Sequence, residues 1–285
     1  MTSLSDRLTL ALASRDSRQI RRRLPPPTTP SDADDLTSTQ NIIDFNSNDY
    51  LSLSRSQALR DLFLSKLQVA PDILGSGGSR LLVNGKAHAA LESRLALFFH
   101  SPAALLFNSG FDANVSFFSC IPRSGDVIVY DEYIHASVHD GMRASHTAST
   151  ARFDFSHNSL PSFRKVLSSL RDARAGLRSG VDNLFVAVES LYSMDGTLAP
   201  LSQIVDSLTE FFPLGNGYLV VDEAHATGVY GPQGRGLVAM LGLEDRVLVR
   251  LHTFGKALAA TGGECLMLGT VLRTENNVFF HKLWL

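Results

Sequence analysis

Cysteine is scarce in this chain of 285 residues: Cys120 and Cys265 stand far apart, outside any paired spacing. That excludes a disulfide framework and a cysteine-based zinc module, and it fits a reducing compartment. No apolar run is long enough to span a bilayer. A surplus of one charge is also missing. Lys and Arg number 26 against 28 Asp and Glu, a net charge of −2. The one basic cluster, Arg21-Arg22-Arg23, is too short for a nucleic-acid footprint. Residues 1–23 lack the basic-then-apolar order of a secretory signal. They are rich in Arg and Ser, as transit peptides are, but Asp6 and Asp16 oppose that reading. A cytoplasmic location is therefore expected. A mitochondrial or peroxisomal one would require different termini, since Leu283-Trp284-Leu285 is not a Ser-Lys-Leu address. Gly-Lys-Ser/Thr occurs nowhere, which removes the Walker A loop. With it goes the helicase reading that the string Asp222-Glu223-Ala224-His225 invites.

What remains is a globular composition, 44% hydrophobic and 19% charged, with length for one large domain or two modest ones. Leu4, Leu8, Leu10, Leu12 and Ile20 predict an amphipathic first helix ending near Leu24, before Pro25-Pro26-Pro27. Residues 25–40 read as a polar, Pro-rich connector. The expected organisation is an N-terminal helix and connector over 1–40, a large domain over 41–269 and a divergent tail over 270–285. Within the large domain, helical stretches (55–70, 86–99, 137–145, 159–175, 200–212) alternate with short apolar runs (103–107, 126–130, 184–189, 217–223, 247–251, 264–269). Runs this apolar suit strands buried on both faces. Their alternation with helices predicts an α/β fold with a mostly parallel sheet. Ligands of such sheets gather at the carboxyl ends of the strands, so the residues just after each run are the candidates.

Lys256 and Asp222 are the first pair. Each follows a buried run, and a buried Asp needs a cation or several donors. Pyridoxal phosphate (PLP) chemistry uses such a pair, with the lysine holding the cofactor as a Schiff base and the aspartate pairing with its pyridine nitrogen. A structural ion pair is the alternative. Ser109-Gly110-Phe111 follows a strand and opens a helix. Backbone N–H groups there suit a phosphate, and a plain strand-to-helix turn is the alternative. The glycine-rich stretch 75–88 has neither a Walker A nor a dinucleotide order. His135, His139 and His146 raise a metal question. No glutamate lies between the first two and no third ligand is evident, so no metal is expected. His135 is better placed to lie on an aromatic cofactor, with His139 and His146 as surface residues.

Several motifs stand in one order: Arg21-Arg22-Arg23, 46-NSNDYLSL-53, 75-GSGGSRLLVNGKAHAALE-92, 108-NSGFDAN-114, 131-DEYIHASVHDG-141, 189-ESLYSMDGTLAPL-201, 222-DEAHATGVYGPQGRG-236 and 253-TFGKALAATGG-263. Together they resemble the α-oxoamine synthases, a group of fold-type I PLP enzymes. The resemblance implies an aspartate aminotransferase-like large domain with a seven-stranded sheet, and a homodimer. It makes Lys256 the Schiff-base lysine, Asp222 the partner of the pyridine nitrogen and His135 the ring-stacking residue. Ser193 and His225 would bond the ring oxygen, Thr253 would touch the phosphate, and Gly110 and Phe111 would lie near it. Glu189 occupies the group's acidic position, and Asn48 and Arg21 would hold substrate carboxylates. The implied reaction is a decarboxylative condensation of an amino acid with an acyl-CoA. In the biotin-pathway member, which this sequence most resembles, these are alanine and pimeloyl-CoA. Glycine C-acetyltransferase is a sister activity. Ser52 stands where the group often has Gly. After Gly269 the resemblance fades, and the small C-terminal domain that supplies a substrate-carboxylate arginine is not found. An inactive PLP-binding fragment is thus the expectation to set against an active enzyme.

Overall fold

The computed structural model describes residues 3–23, 45–71, 73, 78, 82, 83 and 85–267. The Pro-rich connector, much of the glycine-rich stretch 75–88 and the tail 270–285 lie outside the described residues. The chain divides into two compact units, Met1–Phe45 and Asn46–Leu285.

In the first unit α1 spans Leu4–Ser17 and opens on a capping box, Ser3 and Asp6 exchanging side chain-to-backbone bonds. The helix is shorter than the leucines predict. Gln19 takes a φ of 56°, a left-handed conformation that an α-helix cannot continue through. Nor is it amphipathic. Leu10 projects away from Leu4, Leu8 and Leu12 at 100° per residue, and all four are exposed.

The second unit is built on a seven-stranded sheet of order β1-β7-β6-β5-β4-β2-β3. The strands are β1 (Ala103–Phe107), β2 (Val127–Asp131), β3 (Arg152–Phe155), β4 (Leu184–Glu189), β5 (Gly217–Asp222), β6 (Val249–Thr253) and β7 (Gly263–Met267). Pairing from β3 through β6 is parallel, and β7 runs antiparallel between β1 and β6. The reason is connection length. A parallel return needs a crossover of a dozen or more residues, whereas residues 254–262 join β6 to β7 without a helix. The connections from β1 through to β5 run over α4 (Gly110–Cys120), α5 (Ala136–Ala144), α6 (Leu160–Ala173) and α7 (Leu201–Phe211). Ahead of the sheet lie α2 (Gln57–Val69) and α3 (Lys86–Phe98). Among the described residues no helix is long and apolar enough to cross a membrane.

Both faces of the sheet are covered, and β4 shows how. Its residues are buried from end to end. Leu184, Val186 and Val188 pack with Phe163, Leu167 and Leu170 of α6 and Leu201, Ile204 and Leu208 of α7. Phe185 and Ala187 pack on the other face with Phe117 and Phe118 of α4 and Val138 and Met142 of α5. This period-two sorting explains why the strands read as continuous apolar runs rather than as alternations. The strand missing from the sequence reading is β3. It lies at the sheet edge, and its sequence Arg-Phe-Asp-Phe alternates as a half-covered strand does.

Leu167 is fully buried at the centre of the α6–α7 layer. Leu167→Ala is expected to lower the unfolding free energy by about 2–5 kcal/mol, measured by urea denaturation. A loss under about 0.5 kcal/mol would contradict this packing.

Candidate active site

The functional side chains follow from the same alternation. Asp222 shares its face with Val220, Glu189 with Ala187, and Thr253 with Leu251. All three therefore end their strands on the face covered by α4. Glu189 and Asp222 are also direct partners across β4 and β5, so two buried carboxylates stand side by side. Like charges so placed repel, and the structure relieves this at Glu189. Burial first, and then the charge of Asp222, push the Glu189 carboxyl up to about 8. It holds its proton at neutral pH.

Asp222 is held by neutral donors. Oδ1 accepts the Ala224 N–H at 2.9 Å and Oδ2 accepts Asn114 Nδ2 at 2.7 Å. Asn114 lies one turn beyond Gly110 on α4, on the same side of the helix, and its own Oδ1 is buried without a partner. The structure sets aside an Asp222–Lys256 ion pair. Lys256 Nζ instead lies 2.7 Å from His225 Nε2, and His225 Nδ1 lies 2.7 Å from the Tyr50 hydroxyl. That hydroxyl donates to Asn48 Oδ1 at 3.1 Å. With its one proton so used, Tyr50 Oη accepts from Nδ1–H. Nε2 is then the acceptor for Lys256. Burial, and next the nearby lysine, push the His225 imidazole down to about 4, so it is neutral at physiological pH. Burial also lowers the Lys256 ammonium, against the opposing pull of Asp222 and Glu189. Lys256 thus gives up its proton more readily than an exposed lysine does.

Three segments meet where a phosphate was expected. Ser109 caps α4 by accepting the Asp112 N–H at 3.0 Å. Gly110 is packed so tightly that a Cβ on it would overlap the Thr253 hydroxyl. Gly263 follows on β7, where an added Cβ would stand 2.6 Å from the Gly110 nitrogen. The start of α4 can approach the end of β6 only because Gly110 has no side chain. Phe111 is exposed at the first turn, edge-on to the His135 ring at 6.0 Å. His135 caps α5 through Nδ1, which accepts the Ser137 N–H, and its ring stays exposed.

The structure thus brings Lys256, Asp222, His225, Glu189, Gly110, Phe111, Thr253 and His135 to one edge, with Asn48 joined through Tyr50. Ser193 lies on an exposed turn beyond Glu189, outside the cluster. Arg21 belongs to the N-terminal unit, where it pairs with Asp16 at 2.5 Å. His139 packs edge-on to Tyr130 and His146 is exposed. Among the described residues no group of three His, Cys, Asp or Glu could hold a metal. Tyr50 and Asn114 are the residues that sequence reasoning missed. Asn114 could have been found from its helical spacing to Gly110. Tyr50 stands 175 residues from its partner and gives no local signal.

This arrangement suits PLP. An amine of lowered basicity can hold a carbonyl, a buried anion with spare lone pairs can hold a ring N–H, and a helix start beside a hydroxyl can hold a phosphate.

Comparison with known proteins bears this out. The family model for aminotransferase class I and II matches residues 40–274. The 8-amino-7-oxononanoate synthase of Emericella nidulans is 50% identical over 91% of this chain and 60% of its own length. The aminoacyl transferase sphA of Aspergillus fumigatus is 47% identical over 82% of this chain and 50% of its own. The solved serine palmitoyltransferase of Sphingomonas wittichii superposes with a TM-score of 0.68 at 28% identity, covering 82% of this chain and 55% of that one. Serine palmitoyltransferase solved with PLP matches almost as well, at a TM-score of 0.67 and 26% identity. The chain spans between half and three-fifths of the length of these two curated relatives.

Glu189 sets a pH dependence of known sign. Its folded value of about 8 lies above the ordinary 4.5. Its contribution to stability is therefore full below the ordinary value and is lost as pH rises toward 8. In the cofactor-free chain, Glu189→Gln is expected to remove this loss. Urea midpoints of variant and wild type should diverge between pH 5 and 8 in the variant's favour. Parallel profiles would show that Glu189 ionises in the folded chain as it does when unfolded.

Proposed function

The chain belongs to the class I and II aminotransferase family, on its α-oxoamine synthase branch, and on that footing we propose that it condenses an amino acid with an acyl-CoA thioester with loss of carbon dioxide. Its cofactor is pyridoxal phosphate, which when bound supplies an electron sink for the α-carbon of the amino acid. The observation that carries the reading is the bonding of Lys256. Its Nζ donates to a neutral imidazole and is not neutralised by the carboxylate nearby. An amine held this way serves as the point of attachment for a carbonyl and, when free, as the base that takes the α-proton at Nζ. Asp222 would hold a proton on the ring nitrogen, fixed in place by Asn114 and the Ala224 N–H. His225, tied by Tyr50 to Asn48, would keep Nζ oriented. Gly110, Thr253 and the start of α4 would hold the phosphate, and His135 would lie against the ring.

The proposed substrates are L-alanine and pimeloyl-CoA, giving 8-amino-7-oxononanoate, a biotin precursor. The likeness to the Emericella nidulans enzyme supports this choice. The likeness to the sphA transferase and to serine palmitoyltransferase favours a second reading, in which another amino acid, serine or glycine, meets another acyl chain. A homodimer is part of the proposal, supported by the exposed apolar residues Leu62 and Phe63 on α2.

Coenzyme A release separates the readings. Purified chain with added PLP is expected to release the thiol from pimeloyl-CoA and alanine at least about tenfold faster than with serine, glycine or palmitoyl-CoA. A preference for serine with a long acyl chain would establish the second reading. Absence of release with every pairing would overturn catalysis by this chain.

A further inference from the structure

The carboxyl edge of the sheet carries a second polar cluster on the opposite face from Asp222. Asp131 ends β2 in step with Val127 and Val129 and is buried. Its Oδ1 accepts the Tyr133 N–H at 2.9 Å and His157 Nδ1 at 2.8 Å, and Oδ2 accepts the Asn158 N–H at 2.9 Å. An ionised carboxylate has no proton to give, so Nδ1 carries the hydrogen. The His157 backbone N–H donates to Glu132 at 2.7 Å. The imidazole stacks on Tyr133, with ring centres 4.3 Å apart and planes 16° apart, and meets Tyr192 edge-on at 4.5 Å. Backbone, Nδ1 and ring faces are thus all fixed to the sheet edge.

Nε2 points the other way, to the loop that follows β4. It lies 2.9 Å from Thr197 Oγ1 and 3.2 Å from Asp195 Oδ2. Asn158 Nδ2 adds a bond to Thr197 Oγ1 at 2.9 Å. Thr197 and Asp195 belong to the outer arm of a tight hairpin. The hairpin is closed by Tyr192 N to Thr197 O (3.0 Å), Gly196 N to Tyr192 O (2.9 Å) and Ala199 N to Ser190 O (3.0 Å). The hairpin leaves the sheet directly after Glu189, where the Ser190 N–H donates to the Asp222 carbonyl at 2.9 Å. Glu189 in turn acts electrostatically on Lys256. Residues 193–198 are exposed, so burial does little to hold the hairpin in register. Beyond its own backbone bonds, the exposed end of the hairpin is held by the side-chain contacts of His157 and Asn158.

We propose that His157 is a positioning residue for the reaction proposed above, on which this role rests: by gripping Thr197 and Asp195 it sets the hairpin that leaves the sheet at Glu189 and Asp222, beside Lys256. The role is specific to Nε2, because Nδ1 only orients the ring. That separates it from a purely structural function, and two amide side chains make the distinction. In His157→Asn the amide can still donate to Asp131 but cannot reach the hairpin. In His157→Gln the longer amide reaches the Nε2 position. Thr197→Val removes the partner hydroxyl at an exposed position where folding is not at risk.

The test has two readouts. Hydrogen exchange of the amides in residues 190–199 is measured on each purified chain before PLP is added. PLP retention is then measured by titrating the visible absorption band. His157→Asn and Thr197→Val are expected to speed exchange in 190–199 by roughly tenfold or more, with exchange elsewhere unchanged. Both should also weaken PLP retention by roughly tenfold. His157→Gln should stay close to wild type in both. Unchanged exchange in Thr197→Val, equal loss in the Gln and Asn variants, or faster exchange with undiminished PLP retention would each overturn the role. A wild-type chain that retains no PLP would instead overturn the functional reading, and the exchange comparison would still decide whether His157 holds the hairpin.

Discussion

The structure turns on keeping a lysine amine half-buried without giving it a salt bridge. Burial of Lys256 favours the neutral amine, while Asp222 and Glu189 pull the other way. The outcome depends on how much negative charge the two carboxylates carry. As adjacent partners on β4 and β5 they cannot both ionise cheaply, and Glu189 takes up the proton. The lysine then faces one anion instead of two, and that anion is occupied by Asn114 and the Ala224 N–H. His225 completes the arrangement as a neutral acceptor. A cation there would repel Nζ, and a carboxylate there would pin it as an ammonium. Reactivity at Nζ is in this sense a property of the whole strand edge.

The sheet makes that edge possible. Parallel strands β4, β5 and β6 end together, so Glu189, Asp222 and Thr253 are displayed side by side on one face. The short β6–β7 connection forces β7 antiparallel and places Lys256 just beyond the end of β6. The α4 helix then closes on the same face, its first turn against Thr253 through Gly110 and its second through Asn114 against Asp222. On the other face, Asp131 and His157 extend the same edge and hold the hairpin that follows β4. That hairpin leaves the sheet at Ser190, whose N–H donates to the Asp222 carbonyl.

Much of this was legible in the sequence. The apolar runs at 103–107, 184–189 and 217–223 became strands because burial on both faces demands unbroken hydrophobicity. Lys256, Asp222 and Gly110 were found because they stand at or shortly beyond the ends of such runs. What failed to show had physical reasons. The edge strand β3 is covered on fewer sides and carries charges, so its pattern is weak. The leucines of α1 mimicked an amphipathic stripe but bury nothing, and Gln19 ends the helix early. Ser193 and Thr253 came from family resemblance, since a residue's approach to an aromatic cofactor leaves no periodic trace. Tyr50 and His157 act through contacts between distant parts of the chain, which spacing along the sequence does not encode, whereas Asn114 stands one helical turn beyond Gly110.

The central claim is that the described residues assemble a site in which Lys256 captures PLP. The most direct measurement is the visible absorption spectrum of the purified chain with PLP, before and after borohydride, beside Lys256→Ala. The account predicts a band near the visible edge in the wild type that borohydride converts to a covalent adduct on Lys256, and no such adduct in the variant. An adduct that persists in Lys256→Ala, or no band in the wild type, would contradict it.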